Sequence, residues 1–186
     1  APDTLHPREL PRAWLNAIPV RVRQHTRLPL LRDHEVLFID QQYTRDAVIN
    51  AALIGGRMPV PLSSSGIVLL AHAEESLIDD VIAVGWPRTT RETPADGAEL
   101  RRLIRQAHAR GHAVCDGFIH VQSRGIAVPV MGPYGVPVAA LGVVAARGDT
   151  PVPGTAQLPQ GAARGLSHAP LPPHRARPRV TGRAEC

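Results

Sequence analysis

"PVPLSSSGIVLLAHA", residues 59–73, decides how the rest of the chain is read. Three serines and a glycine run straight into an apolar, helix-forming stretch. Three readings of Ser63, Ser64, Ser65 and Gly66 are open. As a polar N-cap, the serine hydroxyls accept from the first free backbone N–H groups of a helix over 66–73. As a nucleophile loop, the run needs a strained Gly-x-Ser-x-Gly elbow and a nearby base. Gly66 is its only glycine, and none of the nine histidines can be paired with it from sequence. As a cradle, the unpaired donors and partial positive charge of a helix's first turn attract a carboxylate, and small residues let a ligand approach the backbone.

The flanking segments supply a scaffold. Residues 8–26 read as helical turns interrupted by Pro11 and Pro19, with Leu15, Ile18 and Val22 at helical spacing. "LPLLRDHEVLFIDQQ" predicts a hairpin turning at Arg32-Asp33-His34, and residues 47–54 a further strand. Glu74 to Val84 gives a short helix with Leu77, Ile78, Val81 and Ile82 on one face. The clearest helix follows, capped by Thr93, with Pro94 at its first position and Asp96 completing a capping box. Leu100, Leu103, Ile104 and Ala107 line its buried side, and Gly111 stops it. Two β-prone runs, 125–131 and 136–145, flank the turn Gly132-Pro133-Tyr134-Gly135, and Pro129 and Pro137 predict edges or bulges. The pattern is α+β: an antiparallel sheet flanked by helices. Residues 1–26 form a helical lead-in, 27–169 the main domain, and 170–186 a Pro- and Arg-rich tail expected to be disordered.

Composition narrows the class. The 186 residues are 44% hydrophobic and 20% charged, enough for a sizeable core built from Val, Leu, Ile and Ala, because aromatics supply only 3%. No apolar run reaches the roughly 18 residues that span a bilayer, and no signal-peptide plan opens the chain. The two cysteines, Cys115 and Cys186, do not make a disulfide framework, so a cytoplasmic setting and no membrane are expected. The formal charge is +5, yet every basic residue is Arg and much of the excess sits in the C-terminal tail. Without aromatic interleaving, that is a weak nucleic-acid signature. No metal or cofactor set emerges.

The order of motifs resembles the IclR family. "GGRMPVPLSSSGIVLLA" is similar to its segment Gly-Arg-x-Pro-(apolar)-His-x-(Ser/Thr)-x-x-Gly-Lys-x-(apolar)-Leu-Ala, with Pro61 and Ile67 in place of the His and Lys. "TRETPADGAELRRLIRQAHARGHAVCDG" resembles its Thr-rich turn, long helix and following strand, and "SRGIAVPVMGPYGVPVAALGVVA" its closing β-hairpin. The resemblance implies the C-terminal effector-binding domain of a bacterial transcriptional regulator, with a GAF/profilin-like fold. It also implies homo-dimers or tetramers, and DNA contact only through a winged helix-turn-helix. No such pattern precedes Leu15, so that reader is expected to be missing here.

The resemblance also implies a site. Ser64 and Ser65 would hold an organic acid by loop amides, with Ser63 and Gly66 beside them and Met58 on an adjoining wall. Where a relative that binds small keto acids uses an Asp, a Cys and two serines, this chain has Cys115, Gly125, Gly142 and Val144. Asp116, next to Cys115, is either a pocket acceptor or a turn residue; Cys115 is a packed residue or a redox or metal group. The pocket so implied is roomier and more apolar, suited to a bulkier hydrophobic or aromatic acid. Two other classes stand beside this: a small serine hydrolase using Ser63–Ser65, and an oligomerisation module with a vestigial pocket.

Overall fold

The turn Arg32-Asp33-His34 closes a hairpin because Asp33 takes the left-handed conformation (φ 55°), which a short polar side chain tolerates. Strand β1 (His25–Arg32) and strand β2 (Glu35–Gln42) pair antiparallel around it. The protein is described by a computed structural model over residues 25–42, 56–132 and 135–148. The lead-in helical turns up to residue 24, the strand expected at 47–54, Pro133 and Tyr134 of the second turn, and everything after residue 148 lie outside the described residues, whereas His25 and Thr26, expected to end the helical lead-in, open β1 by pairing with β2 or β6.

Among the described residues six strands form one antiparallel sheet in the order β3-β2-β1-β6-β5-β4. The others are β3 (Arg57–Pro59), β4 (Ala113–Asp116), β5 (Ser123–Met131) and β6 (Pro137–Ala146). Both prolines of the β5–β6 hairpin find the positions their missing N–H demands. Among the described residues β4 pairs with Arg124–Ala127, which leaves no described strand beside Pro129 on that side. Pro137 opens β6 beside a register shift between Val130 and Met131.

Between β3 and the first helix lies a single 3₁₀ turn, Val60–Leu62. Helix α1 is Ser64–Leu70, beginning two residues before the expected start. The reason is its cap: Ser63 is extended and its Oγ accepts from Gly66 N at 2.9 Å, so Ser64 and Ser65 already belong to the first turn. All seven residues of α1 are buried. The helix lies on β5 and β6 and is covered by α3, Gly97–Arg110. Helix α2 (Glu75–Val84) buries Ile78 and Val81, with Leu77 and Ile82 partly covered, as the apolar face predicts.

The cap of α3 differs from expectation. Asp96, not Thr93, is the N-cap: it accepts from Glu99 N at 2.9 Å while Glu99 Oε2 accepts from Ala95 N at 2.9 Å. Thr93 is buried and spends its hydroxyl elsewhere. Gly111 (φ 70°) ends the helix as predicted. Arg101 pairs with both Glu75 and Asp79, tying α2 to α3. No helix among the described residues is long and apolar enough to cross a membrane.

Two consequences are measurable. A Cβ at Gly66 would lie 2.2 Å from the Val60 carbonyl oxygen, so α1 rests on the 3₁₀ turn only because this residue is glycine. Gly66→Ala is therefore expected to lower stability in urea by about 1–3 kcal/mol. His72, just after α1, sits with its ring 5.4 Å from that of His108, and its Nε2 is buried without a partner. Burial first, and His108 second, lower its pKa below the usual histidine value. Folding thus favours the neutral ring, so this stability is whole above about pH 6.5 and is lost as pH falls below it. Urea titrations between pH 7 and 5 should show stability falling, with a shallower slope in His72→Phe.

Candidate functional site

Where α1 begins, the sheet beneath it carries glycine instead of side chains. Gly125 of β5 lies under Ser64, and Gly142 of β6 under Ser65: a Cβ at these positions would come within 3.0 Å and 2.7 Å of the two hydroxyls. Beside this contact is a half-open cavity of about 90 Å³. That is the volume of roughly three water molecules. The glycines therefore do not simply widen the pocket, because the serine side chains occupy much of the room they leave.

The sequence-derived residues divide cleanly. Met58, Ser63, Ser64, Ser65 and Cys115 come together at the cavity, with Gly125, Gly142 and Val144. Gly66 stands outside it, pressed against the backbone of Val60. Asp116 also stands outside. Cys115 faces Gly125 across the β4–β5 register, so Asp116 points to the other face of the sheet, as alternation requires. There it accepts two hydrogen bonds from Arg124, at 2.5 and 3.0 Å, and is neither a pocket acceptor nor a turn residue. This hydrogen bonding raises the pKa of Arg124.

The walls missed by sequence reading are Phe38 and Leu62, Val143 of β6, and the loop residues Phe118, Ile119, His120 with Ser123. One signal was available. The chain has two phenylalanines, and both line this cavity. The loop 117–122 is held from behind by the Thr-rich turn: Thr90 Oγ1 donates to Gly117 O at 2.6 Å, Thr93 Oγ1 to Phe118 O at 2.8 Å, and Thr89 Oγ1 to Phe118 O as well. The Thr93 hydroxyl, which reads as a helix cap, instead helps fix a wall of the cavity.

Ser63 Oγ is taken by the cap, whereas the hydroxyls of Ser64 and Ser65 have no hydrogen-bond partner among the described residues. None of Ser63, Ser64 and Ser65 bonds a histidine there. His120 Nδ1 accepts from Gln122 N at 3.4 Å. Burial, with Asp116 second, raises the Cys115 thiol well above its ordinary pKa and keeps it neutral. Among the described residues, no three His, Cys, Asp or Glu side chains gather to hold a metal.

Residues 3–152 match the family "Bacterial transcriptional regulator IclR C-terminal". The chain is 28% identical over 132 residues to the Pca regulon regulatory protein of Pseudomonas putida, covering 70% of this chain and 45% of that one. It is 30% identical over 137 residues to the HTH-type transcriptional regulator XynR of Escherichia coli K12, covering 72% and 54%. The chain thus spans about half the length of these two relatives. Among solved structures, an IclR homolog from Microbacterium hydrocarbonoxydans complexed with 4-hydroxybenzoate superposes with a TM-score of 0.76 at 36% identity, over 84% of this chain and 64% of that one. The Thermotoga maritima IclR gives 0.73 at 18% identity, over 84% and 67%, a likeness of fold, which is GAF/profilin-like.

The seating of serine on glycine can be tested by a double substitution. Gly142→Ala should cost about 1–3 kcal/mol by crowding Ser65. Ser65→Ala in the same chain should recover much of it, giving a coupling energy above about 0.5 kcal/mol in a denaturation cycle. Additive losses would mean that the two residues do not touch.

Proposed function

The chain belongs to the IclR family of bacterial transcriptional regulators, as a match to their C-terminal domain, and we propose that it serves as the effector-sensing part of such a regulator. It binds a small organic acid without transforming it, and the bound acid alters how the domains associate in a homo-dimer or tetramer. DNA contact belongs to a domain outside this sequence.

One observation carries the reading: two unpartnered serine hydroxyls at the start of a buried helix open onto a cavity walled by Phe38, Leu62 and Phe118. Such a site offers donors at one end and apolar contact along its sides, which suits a carboxylate on a hydrophobic body. Among the described residues no Arg lines the cavity, and the serine hydroxyls offer hydrogen bonds to the acid. A volume of about 90 Å³ takes the carboxylate end and part of a single ring, the remainder projecting through the open side. That the Microbacterium homolog is complexed with 4-hydroxybenzoate supports a monocyclic aromatic acid for this chain as well.

Isothermal titration with benzoate, 4-hydroxybenzoate, phenylacetate and two-carbon to three-carbon keto acids tests the proposal. Aromatic acids should bind more tightly than the keto acids, and Ser65→Ala should weaken them about tenfold. Silence across the panel, with an intact oligomer by light scattering, would leave only an oligomerisation module with a vestigial pocket.

A further inference from the structure

The loop 117–122 that walls the cavity is anchored at its two ends by different parts of the chain. Its far end is held by the strands it leads into. Ser123 N–H and Oγ donate to His120 O at 2.8 and 2.7 Å, and Arg147 N–H donates to Gln122 O at 2.5 Å. Gly117 N–H closes the base of the loop on Ser123 O at 2.7 Å. The carbonyls of the near end, where Phe118 sits, hang on the threonines instead. Phe118 O accepts from both Thr89 Oγ1 and Thr93 Oγ1, which uses both of its lone pairs, and Gly117 O accepts from Thr90 Oγ1. Thr93 Oγ1 accepts in turn from Thr90 N–H at 3.0 Å, and Thr90 Oγ1 from Glu92 N–H at 3.1 Å, so each hydroxyl keeps its proton for the loop. The turn is itself braced, by Trp86 Nε1 donating to Pro94 O at 2.9 Å. With its backbone pinned and its ring packed in the core, Phe118 has one place to stand in the cavity wall.

We propose that Thr89, Thr90 and Thr93 are positioning residues of the effector site. None of the three lines the cavity, so they act through Phe118. They raise affinity because a wall already in place costs no ordering when the ligand arrives. Thr93 matters most: it is buried, and losing its hydroxyl strips the Phe118 carbonyl of a donor away from water. This rests on the effector-binding reading and deepens it by naming what holds the apolar wall against the ligand.

The test is isothermal titration of the full chain with benzoate. Thr93→Val, which keeps the branched shape and removes the hydroxyl, should weaken benzoate about tenfold. Thr93→Ser, which returns the hydroxyl, should recover most of that loss. Leu77→Ala, which trims the core from α2 and leaves the loop alone, should bind benzoate as the unsubstituted chain does. If Thr93→Val does not fold by circular dichroism, Thr89→Val, at an exposed position, should weaken benzoate about threefold. Unchanged affinity in the folded valine variant, no recovery in Thr93→Ser, or an equal loss in Leu77→Ala overturns this inference and leaves the effector reading standing. Binding of neither benzoate nor phenylacetate by the unsubstituted chain overturns both.

Discussion

The contact on which the structure turns is that of the first turn of α1 with two glycines of the sheet. A helix buried on every side normally presents apolar residues all round. This one begins with two serines, and their hydroxyls can go underground only because Gly125 and Gly142 offer no Cβ. Glycine is needed a third time, at Gly66, where the helix meets the carbonyl oxygen of Val60. A Cβ at Gly66 would meet the Val60 backbone, and one at Gly125 or Gly142 would crowd the serine hydroxyls beside the cavity. The polar end of the site and the packing of the core are thus one feature.

Around that contact the wall is built from parts far apart in the chain. The loop after β4 supplies Phe118, Ile119 and His120, and its carbonyls are gripped by threonines some 25 to 29 residues earlier. Because those threonines sit just before α3, and α3 covers α1, anything that moves the loop bears on the helix that closes the core. The Thr-rich turn thus ties the Phe118 loop to the segment that leads into α3.

Much of this architecture could be read directly from residue order. The β1–β2 hairpin, the apolar faces of α2 and α3, the stop at Gly111 and the edge or bulge positions of Pro129 and Pro137 follow from local rules that the structure obeys. The resemblance of three motifs pointed to the family, and eight of the ten expected site residues line one cavity. The two exceptions are instructive. Gly66 is glycine for the sake of the helix's fit, and Asp116 is turned away by the two-residue period of its strand and held by Arg124.

Local sequence determined the elements, because capping, periodicity and proline's missing donor act within a few residues. It could not determine what each polar group would meet. Thr93 looks like a cap and is a clamp on a distant loop; Asp96 looks like the far half of a capping box and is the cap itself. His120 carries no local pattern at all, since its place at the cavity comes from a turn fixed by Ser123 and from the sheet register beyond it. Only tertiary structure decided that the glycines would be filled by serines, because that depends on how closely a helix and a sheet approach, a distance no spacing along the chain encodes.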